Sequence, residues 1–243
     1  MTVNLIPMAG EGKRFKDEGY TVSKPFIEIN GKPMIVRALE CLPSAEKNIL
    51  IFRKDIISQD MLWKMLNPIF KKVELIGIDY LTDGQASTCL LAADIIDDND
   101  SITIGACDIG VLYNTKSFNE AVENHQNLVW TYKGNPNARK NPQMYGWVET
   151  SKNNKIVQVH CKKSFSKNLD NDPIVSGIFT FKKALNLFDG IQKMYEKNDK
   201  VNGEFYLDNV INHLKNPSII FEVNQFYSWG TPVELKQYLS QIK

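Results

Sequence analysis

The chain has 243 residues, of which 43% are hydrophobic and 23% charged, and 29 basic against 28 acidic side chains leave a formal net charge of +1. This balance excludes the strongly basic character of a dedicated nucleic-acid-binding domain. No apolar run approaches the roughly 18 residues that a membrane-spanning helix requires. The length suits a single domain over residues 1–243 with a sizeable core.

The N-terminal residues carry no positive charge before the first apolar run breaks, which argues against a signal peptide. The cysteines lie far apart and form no C-x-x-C pair: Cys41, Cys89, Cys107 and Cys161. This spacing argues against a metal cluster and against a disulfide framework. We therefore expect a cytoplasmic protein with free thiols that binds neither nucleic acid nor a membrane.

Strand-like and helix-like segments alternate through the first half of the chain. In chain order the patterns predict a strand at 3–8, a helix at 34–42, a strand at 48–52, a helix at 57–70, a strand at 73–79, a helix at 86–96 and a strand at 101–107. Such alternation predicts an α/β fold built on a single-domain, mostly parallel, doubly wound mixed sheet of Rossmann-like type.

The pattern changes after about residue 125, where strands follow one another with turn residues between them. Strands are predicted at 128–133, 145–150, 155–159 and 174–181, and helices at 183–195, 206–214 and 232–242. The later strands predict an antiparallel extension of the sheet. In open α/β sheets ligands bind beyond the carboxyl ends of the strands, so candidate site residues should follow Met8, Asp79 and Cys107.

A glycine-rich segment, residues 9–15 (Ala-Gly-Glu-Gly-Lys-Arg-Phe), follows the first predicted strand directly. Its glycines allow close backbone approach to a phosphate, and Lys13 and Arg14 supply positive charge. The spacing is not that of a Walker loop, and Phe15 stands where a dinucleotide-binding turn requires its third glycine. The second mismatch argues against an NAD-dependent oxidoreductase. Alone, the segment also fits an ordinary strand-to-loop turn.

Further motifs follow in a fixed order: Lys24-Pro25, Gly31-Lys32-Pro33, Gly84-Gln85-Ala86-Ser87-Thr88, Asp108 after a strand, Tyr145-Gly146, Lys163, Ser176-Gly177-Ile178, Gly203-Glu204 and Trp229-Gly230-Thr231-Pro232. With these motifs the sequence resembles the sugar-phosphate nucleotidyltransferases and the phosphocholine or phosphoglutamine cytidylyltransferases of capsule biosynthesis. The resemblance spans nearly the whole chain. It implies a GT-A-type nucleotidyltransferase fold with a nucleotide-binding half at about 1–125 and an acceptor-binding half at about 126–243.

The resemblance also implies a reaction in which an acceptor phosphate attacks the α-phosphorus of a nucleoside triphosphate and pyrophosphate leaves. A phosphomonoester, with a second pKa near ~6, is already a nucleophile at neutral pH, so no general base is required. By resemblance the catalytic residues are Arg14, Lys24 and Lys163, and Asp108 binds the cofactor Mg²⁺. A lone lysine is ordinarily a solvated surface charge, but the restrained backbone before Pro25 favours a functional role for Lys24. An aspartate after a strand often caps a helix, but the position of Asp108 at the end of a strand favours metal binding.

The remaining site residues are assigned by resemblance to two groups. The expected nucleotide-binding residues are Met8, Ala9, Gly10, Gly12, Lys13, Asp79, Gly84 and Gln85. The expected acceptor-binding residues are Tyr145, Gly146, Lys162, Gly177 and Glu204, with core packing as an equally good explanation for the aromatic side chain.

Several positions depart from the family pattern. Ser228 stands where relatives carry an aspartate as a second metal ligand, Lys162-Lys163-Ser164 replaces a sugar-reading Glu-Lys-Pro, and Val175 replaces an asparagine. The last two replacements remove groups that hydrogen-bond hexose hydroxyls in relatives, which suggests a phosphorylated acceptor other than an ordinary hexose. Asp79 replaces a glutamine of uracil- and thymine-selective relatives, and its carboxylate could accept from the cytosine amino group, which favours CTP.

The sequence therefore predicts an Mg²⁺-dependent cytidylyltransferase that uses CTP and a phosphorylated small-molecule acceptor to make a capsule or surface-glycan precursor. One alternative is a sugar-1-phosphate uridylyl- or thymidylyltransferase. Another is a non-catalytic nucleotide-binding relative, which Ser228 keeps open. The acceptor and the oligomeric state stay open, with a homodimer as one option.

Overall fold

Residues 1–241 are described by a computed structural model, and their first half alternates strands with helices. In chain order the elements are β1 (Thr2–Met8), α1 (Lys13–Asp17), β2 (Glu28–Ile29), β3 (Lys32–Pro33), α2 (Met34–Glu40), β4 (Lys47–Arg53), α3 (Gln59–Leu66), β5 (Val73–Ile78), α4 (Gln85–Leu90), β6 (Ser101–Ile104), β7 (Ile109–Leu112) and α5 (Thr115–Asn124). Short 3₁₀ helices occupy Lys24–Phe26 and Ala93–Ile95.

The second half begins with strands and ends with helices. Its elements are β8 (Asn127–Tyr132), α6 (Pro136–Lys140), β9 (Trp147–Thr150), β10 (Ile156–His160), β11 (Ile174–Phe181), α7 (Ala184–Glu196), α8 (Leu207–Val210), β12 (Ser218–Glu222), β13 (Gln225–Ser228) and α9 (Pro232–Gln241). Further 3₁₀ helices lie at Pro142–Met144 and Ile211–His213. Residue 242, the predicted end of the last helix, lies outside the described residues.

Nine strands of the described chain form one sheet in the order β10-β9-β11-β6-β1-β4-β5, and β8 pairs with β11 and β12. The centre is parallel, because β1 pairs in parallel with β4 and β6, and β4 with β5. Strand β11 runs antiparallel to β6 and β8 and extends the sheet on the other side. The predicted α/β class, with a parallel centre and an antiparallel extension, is confirmed.

Helices cover both faces of the parallel centre, which is why its strands are apolar throughout. Leu5 and Ile6 are neighbours in β1 and point to opposite faces, and neither is exposed to solvent. Leu5 packs in a cluster with residues of α4 and α7, whereas Ile6 packs with residues of α2, α3 and α5. This two-sided burial fixes the parallel strands so that the segments after β1, β5 and β6 emerge at one edge.

Some predicted boundaries were wrong. The predicted strand 101–107 ends at Ile104, because Gly105 makes the last bond to β1 and the chain then leaves the sheet. The predicted helix 57–70 is shorter, beginning after Ser58, whose hydroxyl accepts from the Met61 amide, and ending at Leu66. The predicted helix 86–96 stops at Leu90 and gives way to a 3₁₀ turn.

Several short elements gave no recognisable sequence pattern. Strands β7 and β13 pair with each other in a small antiparallel sheet, and β2 and β3 form a second one. Helix α5 was not predicted, since it is largely polar and Phe118 is its one buried residue. None of the helices within residues 1–241 has the length and apolar character needed to cross a bilayer.

Trp130 in β8 provides a test of the packing. Its ring contacts Phe118 and Phe221 at centroid distances of 5.1 and 4.9 Å, and its indole nitrogen donates to the Thr180 hydroxyl at 3.0 Å. We expect Trp130→Ala to lower the free energy of unfolding by about 3–5 kcal/mol in urea titrations, because it leaves a cavity and removes a buried hydrogen bond. Trp63, which is 43% exposed on α3, is the control, and Trp63→Ala should cost less than about 1 kcal/mol. Equal losses would contradict this account of the core.

Candidate active site

A cleft of about 630 Å³ opens at the carboxyl edge of the parallel strands. Its walls are residues 7–16 after β1, residues 20–25, the segment between β5 and α4, and residues 106–108 after β6. Glu204 and Gly230 from the second half of the chain complete it. This is the edge at which doubly wound sheets bind their ligands.

The glycine-rich segment after β1 forms one wall of the cleft and is anchored at its far end by a buried side chain. Phe15 is 1% exposed and stacks edge-on against Tyr20 with ring centroids 5.1 Å apart. A Cβ atom at Gly10 would meet nothing within 4 Å, so the backbone there faces open space. Lys13 and Arg14 lie beside it in the cleft wall. The segment can thus present its backbone and two cations to a phosphate, while Phe15 holds it in place.

Lys24 and Asp108 form an ion pair in the cleft, joining the 3₁₀ helix after residue 23 to the segment that follows β6. Their side chains are 17% and 20% exposed. Burial alone would lower the pKa of Lys24, but the charge of the Asp108 carboxylate and its hydrogen bond outweigh burial, so the pKa of Lys24 lies above its ordinary value. Lys24 is therefore a permanent cation at neutral pH.

Asp108 is held from a second direction by the segment that follows β13. Its carbonyl oxygen accepts a hydrogen bond from the Trp229 amide at 2.8 Å. A Cβ atom at Gly230 would lie 3.2 Å from an Asp108 carboxylate oxygen and 3.5 Å from the Ser228 hydroxyl. The carboxylate and the hydroxyl therefore border the same point at the cleft wall.

These oxygens decide which kind of metal site the cleft could offer. Mg²⁺ typically binds through one or two carboxylates together with substrate phosphates and keeps several waters. Asp108 supplies one carboxylate and Ser228 a hydroxyl, whereas the Glu234 carboxylate, 3.6 Å from the same Cβ position, accepts from the Tyr145 and Thr231 hydroxyls. Residues 1–241 contain no group of three or more His, Cys, Asp or Glu side chains placed to hold a metal. The donor set fits a cation shared with nucleotide phosphates and does not fit a site built from protein ligands alone.

The structure brings most of the expected nucleotide-side residues together. The cleft is lined by Met8, Ala9, Gly10, Gly12, Lys13, Arg14, Lys24, Gly84, Gln85 and Asp108, and by Glu204 from the expected acceptor group. Asp79 is not among the lining residues. Its side chain is 73% exposed and binds Lys54 at 2.8 Å, which removes the geometric basis for assigning it to the nucleobase.

The other expected acceptor residues, and Lys163, do not line the cleft. Tyr145 donates its hydroxyl hydrogen to Glu234 at 3.0 Å, and burial followed by the Glu234 charge raises its pKa. Lys163 is exposed. Gly177 lies where the pairing between β8 and β11 is interrupted.

Lys162 and Gly146 lie near a carboxyl that sequence reasoning missed, Asp208. A Cβ atom at Gly146 would lie 2.2 Å from an Asp208 carboxylate oxygen, and burial raises the pKa of Asp208. Lys162 donates to the Met144 carbonyl at 2.8 Å and lies 5.0 Å from the Tyr206 ring centroid. Burial, then the Glu204 charge, raises the pKa of Tyr206 to about 12. The closely spaced polar groups at 204, 206 and 208 were the sequence signal for this cluster.

Several solved structures are similar to this chain in fold. A nucleoside-diphosphate-sugar pyrophosphorylase from Vibrio cholerae RC9 superposes with a TM-score of 0.78 at 18% identity, over 98% of this chain and 100% of that one. HddC from Yersinia pseudotuberculosis gives 0.73 at 18% identity, over 100% of each chain. The inositol-1-phosphate CTP transferase from T. maritima gives 0.73 at 14% identity, over 100% of this chain and 96% of that one. These likenesses establish the fold.

The family itself is shown by the sequence. The model of the nucleotidyl transferase family matches residues 3–222, which include the glycine-rich segment, Lys24, Asp108 and Glu204. The cleft at the strand ends and the family match agree, and the chain is a member of the nucleotidyl transferase family.

Proposed function

We propose that this protein transfers a nucleoside monophosphate from a nucleoside triphosphate to a phosphorylated small molecule and releases pyrophosphate. The observation that carries the proposal is the Lys24–Asp108 pair, which places a permanent cation and a carboxylate in one cleft beside the glycine-rich segment. A solvated surface pair would not be enclosed in this way. Within this family, the arrangement supports a catalytic protein over a non-catalytic nucleotide-binding relative.

In the proposed reaction, an oxygen of the acceptor phosphate forms a bond to the α-phosphorus, and the bond from the α-phosphorus to the β-phosphate oxygen breaks. The electron pair of that bond leaves with pyrophosphate. Lys13, Arg14 and the backbone at Gly10 and Gly12 would hold the triphosphate, and Lys24 would neutralise charge as it develops. Positioning and charge thus supply the catalysis.

A divalent cation would be held by Asp108 together with the nucleotide phosphates, and it would offset the negative charge of the triphosphate. Ser228 stands beside Asp108 and can add a neutral oxygen. For Asp108 to hold the cation and Lys24 to neutralise the phosphates, the Lys24 ammonium must move from the Asp108 carboxylate to a phosphate when nucleotide and cation bind. Lys163 is exposed and does not line the cleft, so it would contact the acceptor phosphate only where that phosphate extends beyond the cleft.

We propose CTP as the donor, as in the structurally similar inositol-1-phosphate CTP transferase from T. maritima, and a phosphocholine- or phosphoglutamine-like compound as the acceptor, for a capsule or surface-glycan precursor. The replacements at residues 162–164 and 175 support an acceptor other than a hexose. A sugar-1-phosphate with UTP or dTTP is the second candidate, because Asp79, the residue that favours CTP, binds Lys54 outside the cleft.

We also propose a cytoplasmic location and a homodimeric assembly. The four thiols, Cys41, Cys89, Cys107 and Cys161, are free. Free thiols suit a reducing compartment. Homodimers are the commonest symmetric assembly of soluble proteins.

The proposal is tested by measuring pyrophosphate release with Mg²⁺. The four ribonucleoside triphosphates and dTTP are each combined with hexose-1-phosphates, phosphocholine, glycerol phosphate and phosphorylated amino acids or amides. We expect release that requires both substrates, with CTP and a non-sugar acceptor the most active pair. Release with UTP or dTTP and a sugar-1-phosphate would overturn the donor and acceptor assignments and leave the reaction class standing. No release with any pair, despite nucleotide binding, would support the non-catalytic alternative.

Replacement of either member of the pair should abolish most activity. We expect Lys24→Ala and Asp108→Ala each to lower kcat by about 10²–10³-fold, since Lys24 would neutralise charge on the transferring phosphoryl group and Asp108 would hold the divalent cation that does the same. Circular dichroism and thermal unfolding check that the fold is retained. Lys64→Ala, which breaks an exposed pair with Asp60 on α3, is the control and should retain full activity. Wild-type turnover by either cleft variant would show that the site is wrongly placed.

A further inference from the structure

The segment that carries Glu204 is a tight turn lying beside the nucleotide-side wall of the cleft. Val201 and Glu204 exchange two backbone hydrogen bonds of 3.0 Å each. Between them, Asn202 and Gly203 both have positive φ, of 51° and 84°, which is the conformation of a tight two-residue turn. The position of Glu204 is therefore set by whatever holds this turn.

The backbone of Phe205 holds it against the segment between β5 and α4. The Phe205 amide donates to the Asp83 carbonyl at 2.7 Å, and the Phe205 carbonyl accepts from the Ala86 amide at 3.0 Å. Between these bonds lies Gly84, with a φ of 123°, where a Cβ atom would come within 2.6 Å of the Phe205 carbonyl oxygen. Glycine is needed at residue 84 because two backbones touch there.

Side chains on both sides of Phe205 reinforce this contact between the turn and the segment before α4. The Lys200 ammonium lies 2.8 Å from an Asp83 carboxylate oxygen and 4.8 Å from the centroid of the Phe205 ring. On the other face, Tyr195 stacks on Phe205 with centroids 4.1 Å apart, and its hydroxyl lies 2.6 Å from the Ser87 hydroxyl. A cation–π contact and an aromatic stack therefore converge on one ring, that of Phe205, which is only 3% exposed.

We propose that Phe205, clamped by Asp83 and Lys200, is a positioning residue that couples the two sides of the cleft. Gly84 and Gln85 line the nucleotide side and Glu204 lines the other, and Phe205 is bonded to the first and adjacent in sequence to the second. A nucleotide that orders residues 84–88 thereby orders the turn and fixes Glu204 for the acceptor. This inference rests on the proposed function, because it requires a nucleotide at residues 84–88.

The coupling differs from simple core packing in what it predicts for the bound state. If Phe205 only fills space, weakening the Asp83–Lys200 clamp changes hydrogen–deuterium exchange at the turn equally with and without nucleotide. If Phe205 transmits the effect of the nucleotide, weakening the clamp removes the part of the protection that depends on nucleotide. Asp83 and Lys200 do not line the cleft, so a variant there alters the clamp without touching the nucleotide.

Hydrogen–deuterium exchange of the full chain makes this distinction. Peptides covering residues 9–16 and 199–206 are followed with Mg²⁺ and α,β-methylene CTP, and in parallel with the UTP and dTTP analogues. In the wild type we expect nucleotide to slow exchange about threefold or more in both segments. Lys200→Ala should keep the slowing at 9–16 and lose more than half of it at 199–206.

Lys133→Ala is the matched control, because it breaks a pair of similar exposure, 3.1 Å from Glu222, away from the turn. It should behave as the wild type. Phe205→Leu removes the aromatic stack and the cation–π contact but keeps the backbone hydrogen bonds. It should lose more of the slowing at 199–206 than Lys200→Ala does.

Three results would overturn the inference. Slowing at 9–16 without slowing at 199–206 in the wild type, or full slowing at 199–206 in both clamp variants, would contradict the coupling and leave the proposed function intact. No slowing at 9–16 with any analogue would contradict the proposed function, and the coupling would fall with it.

Discussion

The ion pair between Lys24 and Asp108 is the contact on which the rest of the cleft depends. It joins a 3₁₀ helix of the first third of the chain to the end of β6, and the Trp229 amide ties the same aspartate to the segment after β13. Each charge is largely removed from water, and either one alone would be costly to bury. Breaking the pair would therefore leave an uncompensated buried charge, and the pair holds two opposite charges where a triphosphate and its cation would require them.

The parallel centre of the sheet was predictable because its residues are apolar on both faces, and such runs are local signals. Strand β6 was overestimated because residues 105–107 are also apolar, but only Gly105 still bonds to β1, and Ala106 and Cys107 leave the sheet and line the cleft. Strands β7 and β13 could not be predicted, since each has four residues and each exists only because the other, distant in sequence, lies alongside it. Pairing of that kind has no local pattern to detect.

The two sides of the cleft also differed in how far the sequence predicted them. The nucleotide side is built from segments that directly follow parallel strands, so strand ends in the sequence located Gly10, Gly84 and Asp108. The acceptor side comes from antiparallel strands and a turn whose placement depends on tertiary contacts. Tyr145 is engaged by Glu234, and Asp208, which no motif singled out, lies against Gly146. Asp79 follows its strand by one residue and points to Lys54 instead of the cleft.

The central claim is that Asp108 exchanges Lys24 for a nucleotide-bound cation, and titration calorimetry tests it most directly. The affinity for α,β-methylene CTP is measured with and without Mg²⁺ in the wild type and in Asp108→Ala. The account predicts that Mg²⁺ tightens binding by about tenfold or more in the wild type and hardly at all in the variant. Without Mg²⁺ the variant should bind at least as tightly as the wild type, because Lys24 is then free to meet the phosphates. An equal gain from Mg²⁺ in both proteins would contradict it.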